Sequence, residues 1–263
     1  MSQLWQTIVS EVNVLAREEP VLASFFHSTV LRHQTLCQAL GFQLASLLGN
    51  PVLPSMLIQE VCAQAICDDP DIVLAVERDI LAVKARDPAC EYHAMPLLFF
   101  KGFQALQAWR IAHWLWCRGR RSLALYFQHQ IAAVFDVDIH PGATIGHGIM
   151  IDHATGVVIG ETAVVGDNVS MLHGVTLGGS GCCEGRRHPR VGNGVLIATG
   201  ASVIGPVEIG EGAKIAAGSV VLESVAAHTT VAGVPARVVG HPQSAAPALD
   251  MNQLLRAGES SLS

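Results

Sequence analysis

Apolar positions divide the chain into two rhythms. Up to about Phe135 they recur at helical spacing: in DDPDIVLAVERDILAVKARDP, Ile72, Ala75, Val76, Ile80 and Val83 fall on one face. Asp69 is placed to cap that helix, Pro70 to occupy its first turn, and Pro88 to follow its end. LLFFKGFQALQAWRIAHWLW continues the helical reading, with Phe99, Phe103, Leu106 and Trp109 or Arg110 on successive turns. From Val137 the period becomes six. Ile139, Ile145 and Ile151 form one run. Ile159, Val165, Met171 and Leu177 form a second, and Val191, Ile197, Val203, Ile209, Ile215 and Val221 a third. Glycine follows several of these, and small or β-branched residues recur four positions on. Thirteen such hexads predict a parallel β-helix, three hexads to a coil and about four coils.

The period breaks twice. Eight residues separate Ile151 from Ile159 if the Ile-Gly register is kept, although Val157 preserves the six-residue step. Between Leu177 and Val191 there is an insertion, roughly GCCEGRRHPR. Insertions leave a solenoid as loops, which is where function is grafted. The first break holds Asp152 and His153; the second holds Arg187 and His188.

Composition narrows the class. Of 263 residues, 50% are apolar and 14% charged, so much of the surface needs a regular core or subunit contacts to cover it. No apolar run spans a bilayer, and the N-terminus lacks a basic region of the signal-peptide type, so no membrane anchor or export is expected. A net charge of −6 with scattered basic residues argues against nucleic acid. Seven cysteines, without paired C-x-x-C spacing, read as reduced cytosolic thiols.

His153 is a candidate general base, since imidazole titrates near neutral pH. The candidate orienting carboxylates are Asp152 next door and Asp138; stacked coils bring residues of distant number together, so Asp138 is the better partner. Arg187 and His188 are suited to grip a carboxylate. The bland readings are a solvated Arg187, a helix-capping Asp87, a turn-forming Asp138, and surface or packing roles for His140, His147 and His173. A rival reading takes His140, His147 and His153 as zinc ligands of a γ-class carbonic anhydrase. Others are a sibling acetyltransferase acting on a sugar, drug or homoserine, and a non-enzymatic scaffold.

The segments DIHPGATIGHGIMIDHATGVVIGETAVVGDNVSMLHGVTLGG, RRHPRVGNGVLIATGASVIG, AGSVV and VAGVPARVVG resemble the serine O-acetyltransferases, members of the hexapeptide-repeat acyltransferase superfamily. ARDPAC and MPLLFFKGFQALQAWRIAHWLWCRGRR extend the resemblance into the helical half. It implies a helical domain over 1–136, concerned with oligomerisation and part of the serine site. A left-handed β-helix acyltransferase domain would follow over 137–240, with a flexible tail over 241–263. It implies a cytoplasmic trimer, commonly paired into a hexamer, with active sites between subunits. Acetyl would pass from acetyl-CoA to the hydroxyl of L-serine in cysteine biosynthesis, with L-cysteine as feedback inhibitor at the serine site. No tightly bound cofactor or metal is implied.

By the same resemblance His153 is the base, Asp138 its orienting carboxylate, and the Gly179 N–H the oxyanion donor. Asp87 and Asp152 face the serine ammonium; Arg187 and His188 face its carboxylate. Gly179, Ala198, Ala216 and Ala217 border CoA. The chain ends in MNQLLRAGESSLS, where many members end in the Ile that enters O-acetylserine sulfhydrylase, so that partnership is not expected. Cys182-Cys183 have no role assigned.

Overall fold

The computed structural model describes residues 2–181 and 185–255. Its first half is helical: α1 (Gln3–Glu18), α2 (Ala23–Phe26), α3 (Leu36–Leu48), α4 (Ser55–Asp68), α5 (Pro70–Arg86), α6 (Ala94–Phe99), α7 (Lys101–Cys117) and α8 (Arg121–Phe135). In α5 the Asp69 carboxylate accepts from Asp71 N, Pro70 opens the first turn, and Ile72, Ala75, Val76, Ile80 and Val83 are buried, as their spacing predicts. The next apolar run is not one helix. Phe100 is extended between α6 and α7. Just past that break Gly102 lies directly on the coil: a Cβ there would sit 2.0 Å from the Ile151 carbonyl, so the first turn of α7 admits only glycine at this point.

The second half winds through three flat faces. Face 1 is β1 (Val137–Ile139), β4 (Val157–Ile159), β7 (Thr176–Gly178), β10 (Ser202–Ile204) and β13 (Val220–Val221). Face 2 is β2 (Thr144–Ile145), β5 (Val164–Val165), β8 (Arg190–Val191) and β11 (Glu208–Ile209). Face 3 is β3 (Met150–Ile151), β6 (Ser170–Met171), β9 (Leu196–Ile197), β12 (Lys214–Ile215) and β14 (Thr230–Gly233), closed by antiparallel β15 (Ala236–Gly240). All other pairings among the described residues are parallel. The expected α+β architecture, helices followed by a parallel β-helix of hexapeptide repeats, is the one observed.

Register stacks like on like. Ile139, Ile159, Leu177, Val203 and Val221 form one column; Ile151, Met171, Ile197, Ile215 and Val231 form another. Burial of each aliphatic side chain contributes about 1.5–3 kcal/mol, and each hexad supplies one. The coil makes five turns rather than about four. The fifth runs through β13, the Ile209–Val225 bridge and β14, and its segment ESVAAHTT lacks the aliphatic-Gly signature by which the others are counted.

Helices and coil are joined by buried polar groups. Asp79 accepts from Ile149 N (2.8 Å), Gln107 Nε2 (3.0 Å) and Arg110 Nη2 (2.7 Å). Arg110 Nη2 also donates to Gly146 O (2.8 Å), and Trp109 Nε1 to His140 O (3.0 Å). Beyond the coil, α9 (Pro247–Asp250) lies beside face 3: Ser170 Oγ donates to Ala248 O (2.9 Å) and Lys214 Nζ to Leu254 O (2.7 Å). The rest of the predicted tail, 256–263, lies outside the described residues.

Candidate active site

Three edges join the faces. The first, from face 3 to face 1, carries His153. Between Ile151 and Val157 it spends five residues, where the next coil needs only Leu172, His173 and Gly174 between Met171 and Val175. Val157 and Ile159 both point inward, so both ways of counting the hexads are correct. The slip is a two-residue bulge. Within it His153 (φ +57°) and Ala154 (φ +60°) are both left-handed, a conformation disfavoured for residues with a Cβ and concentrated at functional sites.

The bulge lifts His153 clear of the coil. Its side chain is 72% exposed, Nε2 lies 3.7 Å from Asp152 Oδ2, and the ring meets His173 edge-on at 5.8 Å. Beside it opens a cavity of about 320 Å³, lined by Asp87, Lys101, Asp152 and His153, with Val83, Phe100 and Met150 among its apolar walls. Asp87 ends α5, and one carboxylate oxygen accepts from Ala89 N (2.8 Å). Lys101 Nζ donates to Thr155 Oγ1 (2.6 Å). Two carboxylates on an apolar wall beside an exposed imidazole suit a small ammonium compound with a hydroxyl to deprotonate.

The second edge, from face 1 to face 2, carries Gly179, Arg187 and His188. His188 is buried, and its Nδ1 accepts from Thr162 N (3.2 Å) and meets Thr162 Oγ1 (2.9 Å). That assigns the ring proton to Nε2, which lies against two glycines. A Cβ on Gly160 would sit 1.9 Å from Nε2, and one on Gly179 3.0 Å away. Burial, then the Arg187 charge, holds His188 below the usual histidine range; burial first does the same for His140. Arg187 pairs with Glu161, and that hydrogen bond keeps the Glu161 carboxyl below the usual range. The Gly179 N–H donates to no acceptor among the described residues.

Asp138 stands between the edges, on the outer surface of β1, where its Oδ1 accepts from Gln128 Nε2 (2.6 Å). No hydrogen bond or ion pair joins it to His153 among the described residues, because Gln128 of α8 engages it and His153 turns toward Asp152. Thus Asp87, Asp152 and His153 meet in one cavity; Gly179, Arg187 and His188 cluster elsewhere. Face 1, three residues wide, separates the groups by about 10 Å.

Farther along the first edge the residues become small. Ala198 and Ala216 are buried, while Ala217, Gly200 and Gly218 are exposed, with open space where a Cβ would point from either glycine. Lys101, Phe100, Glu161 and Thr162 were not singled out by the sequence. The FFKGF break marks the first two, whereas a charge after an Ile-Gly pair carries no signal of its own. His140, His147 and His153 lie on three different edges, and no three His, Cys, Asp or Glu side chains converge as a metal-ligand set among the described residues. Cys182 and Cys183 lie outside the described residues.

Residues 4–108 match the family model for the serine acetyltransferase N-terminal region, and residues 188–223 match that for six bacterial transferase hexapeptide repeats. The chain is 53% identical over 250 residues to the serine acetyltransferase of Escherichia coli (strain K12), covering 95% of this chain and 92% of that one. Its fold resembles a crystal structure of the enzyme from Vibrio cholerae O1 biovar El Tor N16961 (TM-score 0.95, 55% identity, 96% and 98% of the two chains). It likewise resembles a serine acetyltransferase in complex with cysteine (0.94, 53%, 96% and 98%) and one in complex with CoA (0.87, 53%, 90% and 98%).

Proposed function

The chain belongs to the serine acetyltransferase family, and from that premise we propose how its residues perform the reaction and how the site is assembled. The activity itself is transfer of acetyl from acetyl-CoA to the hydroxyl of L-serine, giving O-acetylserine and CoA in cysteine biosynthesis. The observation that carries the site assignment is the two-residue bulge that sets Asp152 and His153 beside Asp87 in one cavity.

Serine's ammonium lies between Asp87 and Asp152, and His153 takes the hydroxyl proton as the oxygen attacks the thioester carbonyl. Collapse of the tetrahedral oxyanion breaks the C–S bond and the His153 imidazolium returns the proton to the CoA sulfur, so no acyl-enzyme is needed. A base so placed supplies about 10²- to 10⁴-fold; fixing both substrates and holding the tetrahedral oxyanion supply the rest. The unpaired N–H of Gly179 fits the oxyanion. Asp138 orients the imidazole after a turn of the His153 side chain, for which its exposure leaves room.

Arg187 and His188 receive the serine carboxylate, with Arg187 exchanging Glu161 for substrate. One chain holds these groups on the wrong edge for its own His153. A neighbouring copy, with its second edge against this chain's first, brings the halves together. We therefore assign a homotrimer packed through face 1, paired into a hexamer by the helical domains. Acetyl-CoA lies along the first edge past His173, over the small residues Ala198, Ala216 and Ala217. L-Cysteine, with SH for OH, takes the same ammonium and carboxylate contacts and inhibits; a relative is solved in complex with it. Free thiols at Cys62 and Cys90 fit a reducing, cytoplasmic location. Among the described residues no helix is long and apolar enough to cross a membrane.

Release of CoA thiol, with L-serine, homoserine or a sugar as acceptor, tests the assignment. Serine-dependent release, suppressed by cysteine and with a raised serine KM in Asp152→Ala, is the expected result. An unchanged serine KM in that variant would remove Asp152 from the ammonium site.

A further inference from the structure

Arg86 is a buried cation without a carboxylate. Its guanidinium donates to Ser170 Oγ (3.1 Å), Asn168 Oδ1 (3.3 Å) and Val169 O (3.5 Å), and its Nε, also buried, has no acceptor. No acid lies within ion-pair reach of it among the described residues. Asp79, two turns back on α5, is already taken by Arg110, Gln107 and Ile149 N. An uncompensated buried charge is costly, and burial pulls Arg86 down to about 10.

Arg86 lines a cavity of about 400 Å³ on the third edge, between α5, α9 and the turns at Gly148 and Asn168. Arg78 and His147 line it too, with Arg78 Nη1 against the imidazole. The acid in contact with that ring is Asp167, 3.4 Å from His147 Nδ1. Leu81, Ala85 and Leu249 supply an apolar floor. This edge lies opposite face 1, so packing of subunits through face 1 leaves it open.

We propose that this cavity binds a small organic anion, a carboxylate or a phosphate monoester. Its charged end pairs with Arg86 and Arg78, and its apolar body rests on Leu81, Ala85 and Leu249. The site is distinct from the serine carboxylate position on the second edge. Its access in the oligomer rests on the packing through face 1 proposed above; its chemistry does not rest on the catalytic assignments.

Isothermal titration calorimetry of the full chain at fixed ionic strength tests this, with inorganic phosphate, acetate and hexanoate as probes. Arg86 ties helices to coil, so its variants risk misfolding; Arg78→Ala, at an exposed position, is the deciding variant. Saturable binding of phosphate or hexanoate to the wild type is expected, weakened about ten-fold or more in Arg78→Ala. Melting temperature and acetyl transfer at saturating substrates should not change. Hexanoate binding tighter than acetate assigns the apolar floor; phosphate binding alone assigns the charged end. No saturable heat with any probe, or equal binding to wild type and variant, overturns the proposal.

Discussion

The first and third edges of the coil use the same chemistry to opposite ends. Against the third edge, Asp79 of α5 is fully buried, and its carboxylate accepts from a backbone N–H of that edge, an amide and a guanidinium. On the first, Asp152 and His153 share one loose contact at 3.7 Å, and the imidazole is mostly in solvent. Asp79 has its hydrogen-bonding capacity filled within the chain and holds two layers together. The Asp152–His153 pair keeps capacity in reserve on a strained bulge, which suits groups whose partners arrive with the substrate.

Breaking the third-edge pair should have the largest effect. Asp79→Ala strands Arg110 in the interior and is expected to cost about 3–5 kcal/mol, lowering the melting temperature sharply or abolishing folded protein. His153→Ala should do the reverse: turnover falls about 10²- to 10⁴-fold with an unchanged melting curve and unchanged acetyl-CoA binding. If the melting temperature of that variant fell as far as in Asp79→Ala, the contrast between the edges would collapse.

The second edge is intermediate. Gly160→Ala places a methyl where His188 Nε2 now lies. Overpacking of this kind costs about 1–3 kcal/mol, and the displaced ring should raise the serine KM. The smallest effect is in pH. Burial holds His188 and His140 below the usual histidine value. Below about 6.5 the unfolded chain therefore binds more protons than the folded one, and stability falls as pH falls. Above that value both states are neutral and the dependence levels off. Melting temperatures from pH 5.5 to 7.5 check the sign, and His188→Gln should flatten the slope in part.

Much of this was legible in the residues. Hexads report the coil because every sixth side chain points into one column, and the break at Asp152-His153 reports a real bulge. The fifth coil escapes the hexad pattern because Val225 and Val231 pack inward without the aliphatic-Gly pairs. The interruption of the helix at Phe100 is invisible to the apolar spacing, which runs through Phe99 and Phe103 without a change of period, and the close approach of Gly102 to Ile151 O joins residues far apart in sequence. The site was legible as residue types and by resemblance. Its division between two edges was not, because whether Arg187 and His153 share a face follows from the winding rather than from their spacing.

Subunit complementation decides whether the working site is built from two neighbouring chains. His153→Ala and Arg187→Ala chains, each of low activity alone, would be unfolded together, refolded as mixed oligomers and assayed for serine-dependent CoA release. If each site takes one edge from each of two neighbours, about a quarter of the sites regain both halves and activity returns. If both halves of a site come from one chain, every site in the mixture keeps a defect and activity stays at the level of the separate variants.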